Sequence, residues 1–356
     1  MTVVYAYRYG IVGGVSTQLL LRQTALAEEG VKCVLFFSQD NGLRQMVPPG
    51  AEVCFGSEVS LRRLVARERP DAVVVVDSPE LLRPAAGSFL HRTAVYLDVH
   101  TTTRTGLAYL NDVNLSDLAG LMVPSEYARS VLLSRLPDAN VTVVPNILNT
   151  SVFRPQALVH SVDSETREFI WVGKLDNHKN WRLALVYTRL LLDLFGQVRL
   201  TVVGGYTAPE ERALQYFDLA CRLGISANVR WLDRVDNAAM ASLYQRCAAT
   251  GGAMIVTSRD ESFGMAACEA LLCGCPLIAN DLPALREVLP GTHLVRLVDI
   301  WQPEKFASAA QSLAEPVSTI DAHRVNEHLH RRYAPEAYVR RFLAVLEGRP
   351  CIDRTN

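Results

Sequence analysis

Apolar residues fall along this chain in two rhythms. Short β-branched runs at 2–7, 32–37, 51–55, 71–76, 94–97 and 120–123 read as strands buried on both faces. The stretches between them, where apolar positions recur every three or four residues, read as helices. The run at 71–76 is the plainest, with four successive valines from Val73 to Val76. The helix after the first run is expected to turn Leu19, Leu20, Leu26 and Ala27 inward. The rhythm restarts at 168–172 and continues through 198–205, 229–235, 253–256 and 275–279, and helices at 303–313 and 335–346 close the chain. Strands that alternate with helices predict an α/β fold built on parallel, doubly wound sheets.

Between the two series, residues 143–155 break the periodicity with Pro145 and Pro155 and the turn formers Asn146, Asn149 and Thr150. A chain of 356 residues is long for one core and comfortable for two, so a domain boundary is expected there. The polar segment 156–167 follows it.

Charge adds little. The 36 Lys and Arg residues nearly balance the 37 Asp and Glu residues, and no block of like charge stands out, which argues against nucleic acid or an anionic membrane as partner. No apolar run reaches the ~18 residues of a membrane span, and the first strand carries Arg8 in place of a signal-peptide core, so a soluble, cytoplasmic protein is expected. The 8 cysteines are too few for a disulfide framework, and most fall in expected core elements. Cys268, Cys273 and Cys275 cluster without a second ligand group at metal spacing, so no metal site is expected.

The chemistry concentrates in residues 254–288. A strand to Val256, a turn at 257–262 with N-cap chemistry, a helix at 263–272 ended by Gly274 and a strand at 275–279 form one strand–helix–strand unit. Glu261 stands at the mouth of that helix and Glu269 inside it, with seven residues between them. Seven residues make nearly two helical turns, placing both acids on one side roughly 10 Å apart. That exceeds the roughly 5–9.5 Å of a hydrolase pair. It suits a long ligand with hydroxyls at both ends and a phosphate across the helix N-terminus.

The segment Glu261-Ser262-Phe263-Gly264-Met265-Ala266-Ala267-Cys268-Glu269 resembles the E-x7-E signature of family-4 retaining glycosyltransferases, and the flanking Ser-x-x-Glu, Glu-Ala-Leu-x-Cys-Gly and Pro-Leu-Ile-Ala sit at the usual offsets. The resemblance implies a GT-B fold, two Rossmann-like doubly wound parallel-sheet domains facing across a cleft. Its divisions would be 1–148 on the acceptor side, 149–330 on the donor side, and 331–356 as a helix crossing back to the first domain. It also implies that Glu261 contacts donor-sugar hydroxyls, that Glu269 holds the ribose, and that Ser262, Phe263, Gly264 and Met265 lie along the diphosphate.

A second stretch, Phe169 to Asn180, ends a strand at Gly173 and follows it with Lys174 and Lys179, five apart at a helix start. Lysines bind phosphate as mobile point charges, although most are only solvated. Here they resemble the family's Gly-Arg-x4-Lys donor-phosphate motif, with Lys174 where Arg is usual and bidentate geometry lost. The segment 229–235 resembles the loop beside the nucleobase, which brings in Arg234, with Asp233 where the family has Gly. In the first half, Gly10-Ile-Val-Gly13-Gly14 suits close backbone approach to a ligand but lacks the dinucleotide spacing, and is otherwise a tight turn. Gly13-Gly14-Val-Ser-Thr-Gln also resembles the family's first loop. Ser125 reads as a helix N-cap. His100, after the strand ending at Asp98-Val99, should stand where strand carboxyl ends form a crevice, or else pack against a loop. In the family, a histidine near this place approaches the transferred sugar.

The reading that results is a retaining, metal-independent glycosyltransferase. It uses Glu261, Lys174, Lys179 and His100 in the reaction, needs no cofactor, and moves a sugar from a nucleoside diphosphate sugar to an acceptor the sequence does not identify. A donor-binding subunit without catalysis, or a nucleotide-sugar epimerase of the same architecture, stays open as the alternative.

Overall fold

The computed structural model describes residues 1–11, 13–85, 93–156, 165–313 and 319–349. Val12, residues 157–164 of the polar segment and residues 350–356 of the last expected element lie outside the described residues. The chain forms two compact α/β units: one comprises Met1–Ile147 and the segment that begins at Arg332, the other Leu148–Arg331.

The first unit holds β1 (Thr2–Ile11), α1 (Gly14–Glu28), β2 (Lys32–Asn41), β3 (Val53–Phe55), α2 (Glu58–Glu68), β4 (Ala72–Val76), α3 (Leu82–Ala85), β5 (Ala94–Asp98), β6 (Gly120–Val123), α4 (Glu126–Leu133) and β7 (Val141–Val143). Its strands pair in parallel in the order β3-β2-β1-β4-β5-β6-β7, so the winding reverses between β1 and β4. Alternate residues of one strand serve opposite faces: Val3 and Tyr5 join one apolar cluster with Val74 and Val76, while Val4 and Ala6 join another with Val73 and Val75. Burial on both faces is why these runs carry no polar alternation. The Ser125 hydroxyl caps α4 by accepting from Ala128 N–H at 3.1 Å, as its position suggested.

Two expectations for this unit need correction. β1 does not end at residue 7 but runs through Gly10, paired with Asp40, and a Cβ at position 10 would lie 2.5 Å from the Gln39 carbonyl. Gly10 is therefore a strand residue that allows close pairing, not part of a turn. On α1, Ala27 is exposed, and the buried face consists of Ser16, Gln18, Leu19, Arg22, Gln23, Ala25 and Leu26. Hydropathy misplaces this face because its polar members are paired: Gln18 exchanges two hydrogen bonds with the Ile147 main chain, and Gln23 donates to the Cys33 and Glu52 carbonyls.

The second unit contains β8 (Arg167–Val172), α5 (Trp181–Phe195), β9 (Val198–Val203), α6 (Glu210–Arg222), β10 (Val229–Leu232), α7 (Asn237–Ala249), β11 (Met254–Val256), α8 (Met265–Leu272), β12 (Leu277–Asn280), α9 (Pro283–Val288), β13 (Val295–Val298), α10 (Pro303–Ser312) and α11 (Thr319–Tyr333). The last helix, α12 (Pro335–Leu346), belongs to the first unit, where Tyr338, Val339 and Phe342 pack with Val3, Tyr5 and Leu19. The second sheet is also parallel, in the order β10-β9-β8-β11-β12-β13, and reverses between β8 and β11. Phe169, Trp171, Leu200, Val202, Ile255 and Ile278 cover one of its faces.

The helix expected from residue 263 starts at Met265, behind Gly264 at φ +90°, and no side chain caps it. Glu261 is therefore not on the helix. It stands eight positions before Glu269 in a loop, so the helical-spacing argument for the two acids does not apply. Cys275 likewise precedes β12 instead of beginning it.

Candidate functional site

In an open parallel sheet, ligands gather at the carboxyl ends of the strands where the winding reverses. In the second unit that place is flanked by the loop after β8, carrying Gly173, Lys174 and Lys179, and the loop after β11, carrying residues 257–264. One buried hydroxyl fastens the two loops: Thr257 Oγ1 accepts from Trp171 Nε1 at 2.9 Å and lies 2.9 and 3.1 Å from the Lys179 and Asn180 carbonyls. Arg259 N–H donates to the His178 carbonyl, and Asp176 takes the Lys179 N–H at 2.8 Å, closing the turn.

On this frame Lys179 Nζ donates to Glu261 Oε1 at 2.5 Å, and Ser258 Oγ donates to the same oxygen at 2.7 Å. Burial raises the Glu261 carboxyl, but Lys179 and the Ser258 hydroxyl more than offset it and leave the group below its ordinary value. Glu261 is thus an ionised carboxylate with one oxygen engaged. Gly173 makes room for the arrangement, since a Cβ there would meet Lys179 Cγ at 3.1 Å. Ser258 and Thr257 were not singled out from the sequence. The sequence signals for them are general: both fall in the 257–262 turn with its N-cap chemistry, and Ser258 opens the Ser-x-x-Glu flank of the signature, but neither signal pairs Ser258 with Glu261 or Thr257 with Trp171.

Glu269 lies on α8 near Tyr244 and Cys273. Burial without a compensating cation pushes its carboxyl up to about 8. The first N–H groups of α8 have no acceptor within the helix. Gly264 turns the chain into it, and its left-handed φ, with a Cβ site 2.4 Å from the Leu285 side chain, requires glycine. Ser262 and Met265 flank the turn, half-buried, and Phe263 is buried. Lys174 is exposed just past β8, and Arg234 is exposed past β10 with its guanidinium 5.0 Å over the Tyr206 ring. The structure therefore joins Lys179 to Glu261 directly, places Lys174, Gly173 and residues 262–264 on the two loops at the reversal with Met265 opening α8, and puts Arg234 on a loop one strand beyond β9. Among the described residues, no group of three or more His, Cys, Asp or Glu side chains is placed to hold a metal ion.

In the first unit, Gly13 and Gly14 stand at the start of α1, beside the reversal between β1 and β4. A Cβ on Gly14 would meet no atom within 4 Å, and on Gly13 only Ile11 at 3.9 Å, so packing within the unit requires neither glycine. His100 follows β5 with its ring nearly buried. Its Nε2 is 2.9 Å from Asp98 Oδ2, and its main-chain N–H donates to Asp77 Oδ2 at 3.1 Å. Asp77 follows β4 at φ +39° and accepts from the Tyr109 hydroxyl. Burial pushes its carboxyl up to about 6, against the opposing effect of His100. In the sequence Asp77 and Asp98 show only as the polar ends of apolar runs, and no local pattern links them to His100.

Two parallel α/β units wound in this way, with charged loops at their reversals, define the GT-B class of glycosyltransferase fold. Solved structures agree. Anabaena HepE in complex with UDP and glucose superposes with a TM-score of 0.77 over 98% of this chain and 100% of that one at 15% identity. A point mutant of Staphylococcus aureus TarM, in complex with UDP among other ligands, gives 0.79 over 97% and 100% at 9% identity. Residues 156–315 match the family "Glycosyl transferases group 1". A phosphatidyl-myo-inositol mannosyltransferase of Mycolicibacterium smegmatis is 27% identical over 221 residues, 60% of this chain and 53% of that protein. A D-inositol 3-phosphate glycosyltransferase of Segniliparus rotundus is 29% identical over 182 residues, 49% and 40% respectively. The chain thus spans about half the length of the curated relatives it matches.

Proposed function

We propose that this protein transfers a sugar from a nucleoside diphosphate sugar to an acceptor hydroxyl with retention and without a metal ion. The observation that carries the reading is the Lys179–Glu261 pair, set by Ser258 and Thr257 at the reversal of the second sheet within the matched segment. Lys179 and Lys174 meet the negative charge that grows on the leaving diphosphate, the electrostatic contribution that usually dominates such catalysis. The start of α8 adds its N–H groups. Glu261, already ionised, has acceptor capacity left for sugar hydroxyls. Glu269 takes the ribose hydroxyls, Arg234 borders the base, Gly13 and Gly14 let the main chain approach the donor, and His100 contacts the transferred sugar. The titles of the HepE complexes, which print UDP and UDP-glucose, favour a nucleoside diphosphate sugar as donor. A cytoplasmic place fits such a donor, and among the described residues no helix is long and apolar enough to cross a membrane.

Incubation with labelled UDP-glucose, UDP-N-acetylglucosamine and GDP-mannose, scored for slow donor hydrolysis, tests the reading and selects the donor. Phosphatidyl-myo-inositol and D-inositol 3-phosphate, each named in one of the two relatives, are the first acceptors to add. Tight binding of a nucleotide sugar with no hydrolysis or transfer would point instead to a donor-binding subunit. Product of inverted anomeric configuration would refute retention. EDTA is expected to leave the rate unchanged, and loss of activity restored by magnesium or manganese would refute metal independence.

A further inference from the structure

The polar face of α1 is left unused by the proposed reaction. Arg22 is 1% exposed, and its guanidinium lies 5.8 and 5.0 Å from the ring centroids of Tyr5 and Tyr338. It donates to Asp98 Oδ2 at 2.5 Å and to Asn146 Oδ1 at 3.2 Å. The oxygen that Arg22 holds is the one that faces His100 Nε2. Asp98 is also 1% exposed. Burial alone would protonate it, yet His100 and Arg22 keep it well below the usual carboxylate range. An ionised carboxylate has no hydrogen to give, so the imidazole nitrogen facing it must carry one. The groups around His100 are then Asp98 from β5, Arg22 from α1 acting through Asp98, and Asp77 past β4, whose other oxygen is taken by Tyr109. Two carboxylates from neighbouring strand ends thus hold the histidine, one by its ring and one by its main chain. Among the described residues no group pairs with its Nδ1.

We propose that Arg22 and Asp98 are positioning residues that hold His100 in its Nε2–H form, so that Nδ1 and its lone pair are what the ring offers to a ligand hydroxyl. The inference deepens the proposed function and rests on its reading of His100. Arg22 sets the charge of Asp98, Asp98 sets the hydrogen of His100, and the ring orientation follows from both.

Histidine 15N spectra of the full chain at about pH 8 test it, because the two ring nitrogens give different shifts with and without hydrogen. The His100 signals, identified by their loss in His100→Gln, are expected to show hydrogen on Nε2 and none on Nδ1. In the double variant Arg22→Gln with Asp98→Asn, which strands no buried charge, the single tautomer is expected to give way to a mixture. With the nucleotide sugar that the parent hydrolyses fastest, kcat should fall about tenfold or more while KM and nucleoside diphosphate affinity stay within about twofold. A structural pair alone would not produce that split. A parent spectrum with hydrogen on Nδ1 overturns the proposal, and so does a cooperatively melting double variant with unchanged tautomer and unchanged kcat. The parent spectrum decides alone if the double variant does not fold. If His100→Gln leaves hydrolysis untouched, the histidine's role in the reaction is wrong, while the spectrum still decides what sets its tautomer.

Discussion

Glu261 lies against Lys179 and ionises readily, whereas Glu269, desolvated and without a cation, keeps its proton up to about pH 8. The same side chain is therefore ionised at one position and protonated at the other, eight positions apart. Replacing Glu261 with Gln removes the charge that answers Lys179 and should lower kcat by roughly 10²–10³-fold with a smaller effect on nucleotide affinity. Equal losses in kcat and in affinity for free nucleoside diphosphate would refute the sugar-side role. Glu269 supplies a pH signature. Its folded-state value lies above the ordinary 4.5, so its contribution to stability is full below about 4.5 and is lost as pH rises through about 8. Glu269→Gln should flatten the decline in Tm between these values. If ribose hydroxyls donate to the carboxylate, parent affinity for nucleoside diphosphate should rise with pH up to about 8. The variant should bind about tenfold more weakly and without that slope, by calorimetric titration at several pH values. A parent affinity that falls with pH would remove Glu269 from the ribose.

At the level of elements, the strands were legible and the loops were not. Parallel strands buried on both faces leave an unbroken apolar trace, as in β4, and no long-range information is needed to see it. The pattern predicts the start of α8 two residues early because a glycine such as Gly264 can continue a helix, and only its left-handed φ shows that it turns the chain instead. The pairing of Lys179 with Glu261 joins residues 82 positions apart, and no local pattern carries that partnership. The resemblance put both residues at the donor, while the Thr257 hydroxyl that fastens their loops came only with the structure. Arg22 was invisible for a related reason: hydropathy sends arginine to the surface, and only the assembled Tyr5, Asp98 and Tyr338 justify burying it. Two substitutions test the loop frame. Gly264→Ala must adopt an unfavourable φ against Leu285 and should cost about 1–3 kcal/mol by denaturant melt. Thr257→Val leaves the Trp171 indole N–H without its acceptor and should cost about 1–3 kcal/mol, with weaker nucleotide binding if Lys179 moves with its loop. Unchanged stability in Thr257→Val would show that the loops hold without that hydroxyl.

The two units differ in how the chain builds them. The second is one continuous stretch, whereas the first takes its closing helix, α12, from beyond it. Phe342 is wholly buried in the first unit and stacks on Tyr5 at 5.8 Å, so Phe342→Ala should cost that unit about 3–5 kcal/mol. In scanning calorimetry, a transition belonging to the first unit is expected to move down while that of the second stays in place. A shift of both together would show that the units melt as one. The same discontinuity sets an order of events during synthesis. When Ile147 leaves the ribosome, the sheet of the first unit is complete, but the apolar side of Val3, Tyr5 and Leu19 still lacks Tyr338, Val339 and Phe342. Translating Leu148 to Arg331 takes on the order of ten to forty seconds, during which the second unit can fold and the first waits with an open seam. The first unit is begun before the second and finished after it, and over that interval its exposed tyrosine and leucine are where a nascent-chain chaperone would bind.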